Sequence, residues 1–533
     1  MWSRQALCAA LVAALLVGPA SAQIEDSGLG QVDPWGMGFL APSDTALQTG
    51  TWRGARSEDL LPMLKDVRTS GLTPAERTLL RRVILSPALA PVGDEADAML
   101  AERARIAFEL GEAQAAAALM TRLKTPPEGL QPDEIAADLN LAMGNEATAC
   151  ANLSDPDHEG AYWAKLRAVC AALSGNTSGA ELAIEMAQSQ GVKDSWLLNA
   201  VFAASGEMPN PPKARFEDGL SLAMSMRANL QATPKEAAPG RPDIAAAMAR
   251  RRLLAPALRV KAANLAAADG LITADEHRKA YNAALAADGY VQATALDKAY
   301  FAASDAFKAK PEQAAALAAA LKEASGDAAR FAAVSRLLSA DVARLPVDPD
   351  TAPYALTFAR AAIGAGDMAE ASRWTGAIDL EGATLPAFET AWIDGVVVLA
   401  GSNAGSRSVA KVSRRLMESA TTTSEKRAAA QLMSLWSAFY TTAPSDGRNF
   451  IAAESAAPGK ALPPGKVLAV LAATRSGAAA ETVLRTLDIT GGDPSKLDAA
   501  DLAILVDALR RIGAEDAARV LAVEATGYWK TQK

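Results

Sequence analysis

The stretch 103–120, RARIAFELGEAQAAAALM, reads as one helix, a glycine turn and a second helix, and the same figure returns downstream. Gly111, Gly144, Gly175 and Gly206 recur at intervals of 33, 31 and 31 residues, each closing an alanine-rich run. After the first three, an alanine follows at a fixed offset, at Ala116, Ala149 and Ala180. A small residue at the turn and another just inside the next helix, at a period in this range, is the pattern of stacked helix pairs. Leu166, Val169, Cys170 and Leu173 keep the three-and-four spacing of one buried helical stripe. Thr73-Pro74-Ala75-Glu76 supplies a capping hydroxyl, a proline suited to the first helical position and a capping-box glutamate. Strand signals are nearly absent: the β-branched triplet Val396–Val398 lies in a longer apolar run that suits a helix equally. The expected fold class is all-α.

Outward from the repeat block the chain divides by composition. Residues 1–22 read as a signal peptide and 23–57 as an irregular segment carrying Trp35, Phe39 and Trp52. That segment suits a tail packed along the first helices or a short recognition element. Helical repeats are expected over 58–206, a Pro-rich break over 207–242 and an Ala-rich helical segment over 243–344. Further repeats follow over 345–443, then a Pro/Gly-rich linker over 444–466 and C-terminal helical pairs over 467–533. Gly366 with Ala371, and Gly513 with Ala518, repeat the turn-plus-alanine mark, but without the even spacing of the first group.

The compartment is legible at the start of the chain. Met1-Trp2-Ser3-Arg4, an apolar run from Ala6 to Val17, and an Ala-x-Ala exit at Ala20–Ala22 form a secretory signal pattern, with cleavage expected after Ala22. The run is too short to cross a hydrocarbon core, which takes ~20 residues. Cys8 sits inside it after Leu7, where lipid attachment wants a small residue. The expected location is a bacterial periplasm, with secretion as the alternative. No later segment reads as a membrane span. A net charge of -8 and a pI near 5.2 argue against nucleic acid as a main ligand, which calls for a basic stripe.

Signal removal leaves Cys150 and Cys170, an even number in an oxidising compartment. Cys150 lies six residues after the Gly144 turn and Cys170 five before the Gly175 turn. At ~1.5 Å per residue both stand ~8–9 Å above the turn plane on neighbouring helices. A disulfide is therefore expected between them.

Over roughly Asp94–Gly206 these features resemble the tetratricopeptide-like family of helical-hairpin repeats, although the family's bulky aromatic positions are mostly filled by Leu or Ala. The resemblance implies a right-handed α-solenoid that holds proteins or peptides, and it implies no catalytic residues. Tyr162, Trp163 and Trp196 are candidate interface anchors, since aromatics dominate interface energetics. The competing reading places them in the repeat core.

His158 stands in a polar loop, and His277 is far from it in sequence. The segment Asp269–Glu276 aligns in part with a calcium loop, but Leu265 and Ala267 occupy its first and third ligand positions. A helix turn capped by Thr273 and Glu276 explains the same residues. Alanine-rich exported superhelices also accompany lytic transglycosylase domains. Here Glu418-Ser419 and Glu454-Ser455 lack the Gly-Leu-Met-Gln-like stretch that follows the catalytic pair there. No phosphate loop, Gly-x-Ser-x-Gly or Cys-x-x-Cys motif occurs. The expectation is a non-catalytic scaffold, without cofactor or metal, for a cell-envelope protein or peptide. The alternatives are a peptidoglycan-associated superhelix and a structural component of an envelope appendage.

Overall fold

A computed structural model describes residues 33–530 apart from 43, 125, 128, 152, 154–157, 207, 237, 381–383, 402–408 and 455–461. The expected signal peptide 1–22, with its cleavage point after Ala22, lies outside the described residues. The first helices are α1 Ser57–Asp66, α2 Pro74–Leu85, α3 Ala96–Glu109, α4 Ala113–Met120, α5 Pro132–Met143, the single turn α6 Glu146–Ala149, α7 Ala161–Leu173, α8 Thr177–Ser189 and α9 Ser195–Ala204. The middle holds α10 Gly219–Arg227, α11 Pro242–Arg250, α12 Pro256–Ala268, α13 Ala274–Leu285, α14 Ala295–Ser304, α15 Lys310–Ala324 and α16 Ala328–Ala343. Then come α17 Ala355–Ala365, α18 Met368–Thr375, α19 Ala387–Leu399, α20 Val409–Ser419, α21 Thr423–Ser437 and α22 Ser445–Glu454. The last are α23 Pro464–Arg475, α24 Ala479–Thr490, α25 Ala499–Arg511 and α26 Glu515–Ala525. Among the described residues no strand forms beyond an isolated bridge between Arg56 and Val92. The fold is all-α, with sequence neighbours packed on each other along most of the chain.

The spaced glycines act as helix stops. Gly111, Gly144, Gly175 and Gly206 have φ of +86°, +88°, +80° and +80°, the left-handed region that glycine enters without a Cβ penalty. The alanines that follow are buried at Ala116, Ala149, Ala180, Ala371 and Ala518, where a larger side chain would force the helices apart. Gly144 has a second duty. The Arg251 guanidinium reaches over it, donating from Nε to Ala142 O at 2.8 Å and from Nη2 to Leu141 O, so it satisfies the open carbonyls of α5. A Cβ on Gly144 would lie 2.7 Å from Arg251 Nη1. Arg227 serves Ala172 O beside Gly175, and Arg519 serves Leu399 O beside Gly401, in the same manner. We expect Gly144→Ala to cost about 2 kcal/mol, combining left-handed strain with a displaced arginine. Gly206→Ala, equally left-handed but with open space around it, should cost ~1 kcal/mol. Urea midpoints measure both, and equal losses would show that the arginine contributes nothing.

Two stretches that read as breaks contain helices. Within 207–242, α10 forms because Asp218 and Ser221 make a capping box, and because Gly219–Ser225 is buried against α5, α7 and α9. The carboxylate of Asp138 accepts from the backbone N–H groups of Gly219 and Leu220 at 2.8 and 3.2 Å, fixing the N-terminus of α10. Tertiary contact here overrides the flanking prolines. Within 444–466, α22 begins just after Pro444, with Asp446 in its first turn.

The feature that organises the molecule is α2. Ala75, Glu76, Arg77, Leu79, Leu80, Arg82, Val83, Ile84 and Leu85 are all buried, so this helix is enclosed on nearly every side. It packs on α3, which follows it, and also on α16, α24 and α26 from far along the chain. Arg82 makes a two-pronged ion pair with Asp516 at the start of α26, its Nη1 lying 2.6 Å from Oδ1. Glu76 accepts from Thr73 N at 2.8 Å, closing the expected capping box, and its other oxygen accepts from Thr490 Oγ1 and Gly492 N. Arg68 donates to Gly491 O at 2.7 Å. The two ends of the helical array therefore meet, and one apolar core runs from Trp35 to Trp529. A second core, from Ala137 to Ala262, fills the α5–α12 region.

Candidate functional site

The sequence-derived candidates lie in the second core. Cys150, at the end of α6, and Cys170, in α7, are joined in a disulfide with a Cα–Cα distance of 5.8 Å. A loop of this length, 20 residues apart in sequence, lowers the entropy of the unfolded chain enough to stabilise by ~3 kcal/mol. The Cys150→Ala/Cys170→Ala chain is expected to lose that amount, seen as faster hydrogen exchange confined to α5–α10. A loss spread evenly over the whole molecule would contradict it.

Trp163 is buried, and the His158 ring stacks on it with centroids 3.6 Å apart. Tyr162 meets Trp163 edge-on, and its hydroxyl is sealed from solvent without a hydrogen-bond partner among the described residues. Burial, with the nearby carboxylates of Asp138, Asp218 and Glu134, raises the Tyr162 phenol well above its usual range. Trp196 is half-buried; its indole N–H donates to Lys213 O at 2.8 Å and Arg215 lies 5.6 Å above its ring. These rings are engaged within the molecule. In the calcium-like segment, Asp269 accepts from Arg77 at 2.5 Å, while Glu276 caps α13 and accepts from Arg250 at 2.7 Å. His277 is buried against Asn264, Nε2 to Oδ1 at 2.7 Å, and burial pulls its pKa down to about 3.

A different place concentrates unsatisfied polar groups. A cleft of about 680 Å³ opens between the α16–α17 hairpin and α26, with Pro74 of α2 at its floor. Its apolar wall is Ala332, Ile363, Val520 and Val523. The cleft is also lined by Glu524, whose Oε1 accepts from Ala75 N at 3.0 Å while Oε2 has no hydrogen-bond partner among the described residues. Burial pushes this carboxyl up to about 8; bonds from Thr73 and Ala75 oppose the shift, Glu76 adds to it, and Arg336 reduces it. At neutral pH Glu524 is therefore a neutral acid. Tyr528 is only 5% exposed and lines the cleft, yet its hydroxyl makes no hydrogen bond among the described residues. Arg336 is half-buried and has a single bond, to Ala267 O at 3.5 Å, the limit of a useful contact.

Sequence reasoning missed this cleft because its walls come from residues 74, 332–368, 400 and 515–528. One local signal existed: Glu524 interrupts the apolar run Leu521–Ala525, an unusual position for a charge. Comparison with known proteins finds no matching family model, curated protein or solved structure. Among the described residues no helix is long and apolar enough to cross a membrane.

Proposed function

We propose that this chain is an exported, non-catalytic helical-repeat scaffold that holds an extended segment of another cell-envelope protein in the cleft between α17 and α26. The observation that carries the reading is the cleft itself, whose volume suits a ligand, whose Arg336 has only a long bond to Ala267 O and whose Tyr528 hydroxyl has no hydrogen bond among the described residues. Its described lining contains no histidine, cysteine or serine, so a Ser–His or Cys–His pair is missing among these residues. The signal pattern of residues 1–22 supports export to the periplasm, and a disulfide fits an oxidising compartment. A photo-crosslinking side chain at the exposed Val520 should trap one defined envelope protein. Retention of the chain by purified sacculi alone would overturn the reading.

One observation favours a second reading, a peptidoglycan-associated protein: Glu524 is a protonated acid in the same cleft as Glu515 and Asp516. Glycan cleavage uses such a pair of carboxyl groups. Asp516 is held by Arg82, however, and Glu524 Oε2 is shielded from solvent. Muropeptide release from sacculi, lost in Glu524→Gln, would establish this second reading.

A further inference from the structure

We propose that the α17–α26 cleft recognises the free C-terminal carboxylate of a peptide ending in an apolar residue, held between the Arg336 guanidinium and the Tyr528 hydroxyl. This deepens the scaffold reading and rests on it.

The argument begins with the charges around the cleft. Arg519 is paired with Glu515 at 3.2 Å and also donates to Leu399 O at 3.0 Å. Asp516 is paired with Arg82 across the seam. Glu76, behind Glu524, is saturated by Thr73, Thr490 and Gly492. Glu524 is neutral, because desolvation outweighs the pull of Arg336. Among the described lining residues this leaves Arg336 as the cation with no carboxylate in ion-pairing range. Burial lowers its pKa, which shows that its charge is poorly solvated where it stands. Other arginines that serve helix ends do so through bonds of 2.8 to 3.0 Å, as Arg227 and Arg519 do, whereas Arg336 reaches only 3.5 Å. Its capping role is thus weak, and its fork is available.

Tyr528 supplies the second group. Its ring is fixed edge-on between Phe331 and Trp529, with centroids at 6.0 and 5.5 Å, so the hydroxyl cannot swing away to find a partner. A planar guanidinium and a phenol donor together match the two oxygens of a carboxylate. The backbone of an internal peptide segment offers only neutral carbonyls there, which form weaker bonds to a guanidinium. Ile363, Val520 and Val523 then face the last side chain, and the open mouth lets the preceding residues leave toward solvent.

The test uses the full mature chain and a fluorescein-labelled pentapeptide ending in leucine, prepared as the free acid and as the C-terminal amide. By fluorescence anisotropy the acid is expected to bind at least ~10-fold more tightly than the amide, the discrimination typical of a charge-assisted pair. Arg336→Gln should remove that difference, Arg336→Lys should restore part of it, and Tyr528→Phe should weaken acid binding severalfold with little change for the amide. Tyr528→Phe keeps the ring packing, so it tests the site even if Arg336→Gln fails to fold. Equal affinity for acid and amide overturns the proposal, as does binding of laurate by a chain that binds neither peptide. If Val520 crosslinks the same envelope protein in wild type and Arg336→Gln, the carboxylate inference fails and the scaffold reading stands. If the peptide acid binds but no envelope protein is trapped, the scaffold reading fails and the carboxylate site stands.

Discussion

Glu524→Gln is expected to raise the melting temperature in mildly alkaline solution and to leave it nearly unchanged at acid pH. Glu524 is wholly buried, with a carboxyl shifted from 4.5 to about 8, chiefly by burial. The folded protein therefore holds a proton that the unfolded chain gives up near its ordinary value. The stability this proton supports is complete below about pH 4.5 and falls as pH rises through the folded value near 8. Over that window the loss is roughly 5 kcal/mol, at ~1.4 kcal/mol for each pH unit separating the two values. Glutamine keeps the acceptor for Ala75 N, has nearly the same volume and cannot ionise. Melting curves of both chains across this range should diverge with rising pH. Parallel curves would show that Glu524 ionises freely and that the seam between α2 and α26 does not depend on its proton.

The second large effect is expected at Arg103, which is fully buried in α3. Its guanidinium donates to the carbonyl oxygens of Ile84, Trp35, Met37 and Ser86, and it sits 5.6 Å from the centre of the Trp35 ring. Burial lowers its pKa to about 10, still charged at neutral pH. Arg103→Leu leaves these acceptors in an apolar interior without donors. Removing one side of such a buried network costs roughly 3–5 kcal/mol. The loss should appear in urea denaturation, together with rapid hydrogen exchange at Phe39 and Ala88, whose amides pair with Leu85 O and Trp35 O. Arg103→Lys should recover only part of it, because one ammonium with three donors cannot reach all the carbonyls that the guanidinium serves. A Leu variant within about 1 kcal/mol of wild type would contradict this account.

These two residues mark the boundary of what was legible in the chain. Local signals carried through: the glycine spacing gave helix stops, the alanine offset gave tight contacts, and the capping boxes at Thr73 and Thr273 formed. The cysteine register also carried through, because two hairpin helices fix relative height over a short distance. By contrast, α10 reads as a proline-flanked break until Asp138, 81 residues away, anchors its N-terminus. Glu524 stands out only as an acid set in an apolar run until Ala75, 449 residues earlier, is placed against it. Periodicity encodes which face of a helix is buried, but not which distant helix covers it. The cleft, built wholly from such distant pairings, was invisible for that reason. So was the meeting of the two ends.

That meeting sets the order in which the chain can reach its fold. The helix α2 is made early, yet the surfaces that enclose it belong to α16, α24 and α26. Until those residues arrive, a helix that is buried on nearly every side in the finished fold has no complete shelter, and its charged residues Glu76 and Arg82 lack the partners those residues supply, so the final structure cannot lock. Losing even the last helix would then unshelter the second, so an error at the tail of synthesis is felt at the head.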